Sequence, residues 1–110
     1  FGFVVIEPAS YSFVEQVEIF SNCSLLLGQS GAALVNGCFM NPKSLLIELN
    51  HGEIDEGPTC WQLMCNEFDL SYRTIYPINS VDDHDQDITV DLSSLEKVLR
   101  ASVKEIKFDN

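Results

Sequence analysis

The feature that most constrains this chain is its alternation of short, unbroken apolar runs with segments of helical period. Gly2-Phe3-Val4-Val5-Ile6-Glu7, Ser24-Leu25-Leu26-Leu27 and Ser44 to Leu49 are too short for buried helices and do not alternate polar with apolar. Such runs suit strands covered on both faces, as in a parallel sheet. Between the first two lies Ser12-Phe13-Val14-Glu15, a capping-box pattern, followed by Phe13, Val14, Val17 and Phe20 at helical spacing. Ala32 to Asn36 begins a short helix of small residues ending near Gly37 to Phe39. A helix is expected over Thr59 to Phe68, a more peripheral strand over Ser71 to Tyr76, and an amphipathic helix over Leu92 to Ile106. Ser93-Ser94-Leu95-Glu96 would cap that helix, and Leu95, Val98, Leu99 and Val103 would form its buried stripe. The expected fold is α/β, a Rossmann-like three-layer sandwich with a mainly parallel sheet. One such domain fills residues 1–110, and Phe1, already core-like, suggests a piece of a longer chain.

Charge narrows the partners. Six Lys/Arg against 17 Asp/Glu leave a formal net charge of −11. That field repels phosphate backbones and anionic lipid, so nucleic acid is not an expected partner. No apolar run approaches the roughly 20 residues that span a bilayer, so this segment is not expected to insert in a membrane. Cys23, Cys38, Cys60 and Cys65 form no C-x-x-C pair and have no ligand-spaced histidine. Buried free thiols are expected, with no metal site.

Gly28-Gln29-Ser30-Gly31-Ala32-Ala33 is the best candidate site. A strand that enters a Gly-bounded turn and then a helix leaves amide N–H groups unpaired at the helix start, where they suit a diphosphate. In open parallel sheets ligands bind at the C-terminal strand ends. Glu7 and Glu48 are expected on that same edge. Glu48 either accepts hydrogen bonds from ligand hydroxyls, stands as a solvated strand end, or partners a local amide. Glu15 either completes the capping box or faces the cleft. Asn36 shares a helix face with Ala32 and either holds the loop backbone or touches the ligand. His51 follows the third strand near the proposed site. Asp83-x-Asp85-x-Asp87 around His84 has calcium-loop spacing but lacks the central Gly and the terminal Glu, so it reads as a solvated acidic loop.

Phe1 to Leu49 resembles the C-terminal core of glycosyltransferase family 61. The resemblance runs through Gly2-Phe3-Val4-Val5-Ile6-Glu7-Pro8, Ser12-Phe13-Val14-Glu15-Gln16-Val17, Gly28-Gln29-Ser30-Gly31-Ala32-Ala33-Leu34-Val35-Asn36, Phe39-Met40, and Pro42 with Leu46-Ile47-Glu48-Leu49. It implies the C-terminal, donor-binding half of a GT-B-like enzyme for glycan or polysaccharide synthesis. The ligand would be a nucleotide-sugar, a UDP-sugar by preference. The N-terminal half of the same chain would supply the acceptor site and the catalytic base, so no catalytic residue is assigned here. Neither metal nor other cofactor is implied. The implied compartment is the cytoplasm for a bacterial chain and the secretory-pathway lumen for a eukaryotic one. The resemblance adds Gly28 to Ala33, Asn36, Glu15 and Glu48 as donor-binding residues.

The family's loop usually carries His where this chain has Ser30, which donates a hydrogen bond but is neither cation nor base near neutral pH. That departure motivates an alternative, a non-catalytic Rossmann-like interaction module that has lost the transferase chemistry. A receiver-like domain would need an Asp at the end of the first or third strand, where Glu7 and Glu48 stand instead.

Overall fold

Strands β1 (Leu25–Gln29), β2 (Leu45–Leu49) and β3 (Ser71–Ile75) form a parallel sheet in the order β1-β2-β3. They belong to a computed structural model that describes residues 2–50, 59–78 and 89–105. Helix α1 (Phe13–Ser21) precedes β1, and a 3₁₀ helix (Ala32–Phe39) carries the chain from β1 to β2. Helix α2 (Cys60–Glu67) leads into β3, and α3 (Leu92–Glu105) ends the described chain.

The central strand explains the apolar runs. Leu45, Leu46, Ile47 and Glu48 are all buried because β2 has a neighbour on each side and helices on both faces. On one face Leu46 packs with Phe20 of α1, Leu34 and Met40 around the 3₁₀ helix, and Cys65 of α2. On the other, Leu45 and Ile47 meet Ile75 and Leu99, with Leu95 and Val98 of α3 against them. The three layers expected from sequence are therefore present. Sealing a side chain such as Leu46 from water contributes about 1.5–3 kcal/mol.

Caps follow local chemistry. The Ser12 hydroxyl accepts from the Glu15 amide at 3.2 Å and Glu15 Oε1 from the Ser12 amide at 3.0 Å, closing the expected capping box. Thr59 Oγ1 accepts from the Gln62 amide at the start of α2. At α3 the cap is Asp91 and not the Ser93 box: Asp91 accepts from the Ser93 amide and the Ser94 hydroxyl. A carboxylate one residue before the helix outcompetes a serine already inside it. Its buried stripe takes in Ser102 in place of Val103, because the Ser102 hydroxyl satisfies itself on the Val98 carbonyl at 2.6 Å.

The first expected strand does not form. Residues 2–7 are unpaired, and Val4 and Val5 are 83% and 93% exposed. Apolar character alone does not make a strand; an inter-strand ladder must satisfy its backbone. Phe13 and Val14 are also exposed, Phe13 resting edge-on against Phe39 with ring centroids 5.8 Å apart.

Candidate functional site

The C-terminal edge of the sheet is built by the corner between β1 and the 3₁₀ helix. Gly28 and Gln29 are strand residues paired with Glu48 and Leu49, so the expected four-residue loop contracts to Ser30 and Gly31. The Ser30 amide continues the ladder to the Leu49 carbonyl at 2.9 Å, and the Leu34 amide closes the first helical turn on the Gly31 carbonyl at 3.0 Å. Between them the amides of Gly31, Ala32 and Ala33 have no acceptor among the described residues. All three residues are exposed. A 3₁₀ helix leaves three leading N–H groups unbonded, and here they fall in sequence at the sheet edge.

The two glycines of this corner serve different purposes. A Cβ at Gly28 would lie 3.0 Å from Leu34 Cδ2, so Gly28 lets Leu34 pack down onto the strand. Gly31 is extended and would meet only the Gln29 carbonyl, at 3.8 Å. The space beside Gly31 is open to a ligand rather than demanded by the fold. Asn36 is buried, and its Nδ2 donates to the Ala33 carbonyl at 3.1 Å, which ties down the turn that presents the free amides.

Glu48 is not a solvated strand end. It is 1% exposed, lies beside Gly28 and Thr74 in register, and faces the layer of α1, the 3₁₀ helix and α2. Its Oε1 accepts from Tyr72 Oη at 2.6 Å and from Thr59 Oγ1 at 3.4 Å. Such donors are what a buried carboxylate requires. Burial first, and then the bond to Glu48, push the Tyr72 hydroxyl up to about 12. Burial, with the Glu48 charge adding to it, pushes the Cys65 thiol up to about 11. Tyr72 and Thr59 went unnoticed in the sequence. Only the parallel register of β2 with β3 reveals that Tyr72 shares a face with Glu48.

The remaining candidates scatter. Glu15 is exposed and engaged in its capping box, where the Ser12 amide and then the Ser12 hydroxyl hold its carboxyl below the usual range. Glu7 is exposed, and its carbonyl accepts from the Ser10 amide; with no strand behind it, it does not stand at a strand end. His51 and the acidic loop around His84 lie outside the described residues. The cysteines are free, with Cys65 buried, Cys23 and Cys38 half-buried, and Cys60 exposed against expectation. No group of metal-ligating side chains occurs among the described residues.

An apolar groove of about 710 Å³ runs from the 2–8 segment along β1. Val5, Ile6, Phe20 and Leu27 line it, and it reaches Gln29 and Ala33 at the corner. No described helix is long and apolar enough to cross a membrane.

Residues 1–47 match the family model described as Glycosyltransferase 61. The match bears out the resemblance read from the residue blocks, and its span holds the whole corner from Gly28 to Asn36. No curated protein and no solved structure matches the chain.

Proposed function

We propose that this chain, whose residues 1–47 match glycosyltransferase family 61, is the donor-binding half of a glycosyltransferase and holds the diphosphate of a nucleotide-sugar at the Gly28–Ala33 corner. The observation that carries the reading is the run of three exposed, unbonded amides at Gly31, Ala32 and Ala33, at the C-terminal end of a parallel sheet. Backbone donors fixed in this way stabilise the charge on a departing diphosphate without reorganising. They also offset locally the −11 charge that would otherwise repel it.

In this reading Asn36 and Glu48 are framework. Asn36 braces the corner, and Glu48 joins β2, β3 and the start of α2 beneath it. Ser30 and Gln29 are the side chains nearest the phosphates, and Glu15 stays in its capping box. A UDP-sugar is the preferred donor. The residues 1–110 form one Rossmann-like domain of a GT-B-like pair, and the facing N-terminal half supplies the acceptor site and the base. Isothermal titration of UDP and UDP-sugars into the full-length protein tests this, with micromolar to millimolar binding expected. Gly31→Asp, which sets a carboxylate among the three amides, should abolish it. Heat-silent titrations across all nucleotide-sugars would sink the reading.

A second reading has one specific observation in its favour. The corner has backbone donors but no cationic side chain of its own, with Ser30 at the position where, by the resemblance, the family usually carries His. An interaction module would keep the fold without turnover. Ser30→His in the full-length protein separates the two, since a transferase gains activity and a module gains none.

A further inference from the structure

The outer edge of β1 is unfinished. The Leu45 amide donates to the Ser24 carbonyl and the Ser30 amide to the Leu49 carbonyl, so Ser24, Leu26, Gly28 and Ser30 turn their backbone groups toward β2. Leu25, Leu27 and Gln29 turn theirs outward. The Leu25 carbonyl accepts from Cys23 Sγ at 3.1 Å. The backbone groups of Leu27 and Gln29 on this side have no partner among the described residues.

Across the groove from this edge lie residues 3–6, apolar and themselves without a strand partner. The crossover rule says where it belongs. The 3₁₀ helix and α2 both pack on one face as the chain steps from β1 to β2 to β3, and Phe20 puts α1 on that same face. A crossover through α1 of the same hand requires the preceding strand to lie beside β1, on the side away from β2. The side chains are already sorted accordingly. Ile6 packs against the helix-side core, while Phe3 lies near Val103 of α3 on the opposite face.

We propose that residues 3–6 add to the free edge of β1 as a fourth parallel strand. This closes the apolar groove, covers Val4 and Val5, and gives Leu27 and Gln29 their missing ladder partners. It also brings Glu7 level with Gln29 and Ser30, adding a carboxylate to the rim of the corner. The inference does not rest on the nucleotide-sugar reading, since it follows from the sheet edge, the crossover hand and the packing of Ile6.

Amide hydrogen exchange followed residue by residue in the whole chain tests it. With the fourth strand paired, the Leu27 amide exchanges within about tenfold of the inward-facing Leu26 and Gly28 amides. Because alternate residues of an edge strand donate to the ladder, either Val4→Pro or Val5→Pro removes one of its bonds. At least one of the two should accelerate Leu27 exchange by about a hundredfold while the Ile47 amide stays protected. A Leu27 amide exchanging at the rate of open chain in the wild type, beside protected Leu26 and Gly28, overturns the proposal. So does a protected Leu27 that neither proline disturbs in a folded variant. Should a proline variant lose Ile47 protection, the wild-type Leu27 rate alone decides.

Discussion

Tyr72 Oη lies 2.6 Å from Glu48 Oε1, joining β3 to the buried carboxylate of β2 on the face that carries α2. Thr59, which caps α2, lies 3.2 Å from the same phenol and also donates to Glu48. Three elements therefore converge on one buried charge directly beneath the strand ends.

Removing the phenol should be costly. Tyr72→Phe keeps the ring and leaves Glu48 with the longer Thr59 bond only, so a loss of about 1–3 kcal/mol is expected. Urea unfolding measures it. A change below about 0.5 kcal/mol would mean the carboxylate does not depend on this donor.

Alkali should weaken the fold in a defined window. Cys65 rises from its ordinary 9.0 to about 11 and Tyr72 from 10.0 to about 12, so both favour their neutral forms in the folded chain. Their contribution is complete below the unfolded values, begins to fade near pH 9, and is lost as pH climbs to about 12. Unfolding midpoints measured along this range should fall. Tyr72→Phe should flatten the upper part of the curve, and an unchanged slope would refute the assignment.

The glycines should separate by position. A Cβ at Gly37 would lie 2.9 Å from Leu46 Cδ1 and 3.0 Å from Met64 Cε, inside the packed core. Gly37→Ala should cost about 1–3 kcal/mol through overpacking. Gly31→Ala has open space and should stay within about 0.5 kcal/mol. Thermal melts of the two variants make the comparison, and equal losses would contradict the packing described.

The capping box should be pH-dependent. Ser12→Ala removes the hydroxyl that accepts from the Glu15 amide and helps hold the Glu15 carboxyl down. Glu15's contribution is present above its ordinary 4.5 and is lost as pH falls through its lowered folded value. The destabilisation by Ser12→Ala should therefore shrink in acid. NMR titration of Glu15 should show its midpoint moving upward in the variant.

Much of this architecture was legible locally. The capping box at Ser12, the helix behind Thr59 and the strands at Leu25, Leu45 and Ser71 each depend on a few neighbouring residues. Of the two roles the sequence allows Asn36, the bond to the Ala33 carbonyl is the local one, within reach of three residues. Gly28 was misread as a loop glycine because nothing in the local pattern shows that Leu34 folds back onto it. The burial of Glu48 is not legible locally for the same reason: the donors that make it tolerable are Thr59 and Tyr72, both remote in sequence.

By itself the sequence determined the periodicities, the capping box at Ser12, and the order of strands and helices from α1 onward, because these arise from interactions within a few residues. Only the tertiary structure decided which strands acquired neighbours and which polar groups were sealed. Pairing and burial are set by contacts between distant segments: of two similar apolar runs, Leu45 to Ile47 is core and Val4 with Val5 is exposed, according to whether another backbone lies alongside.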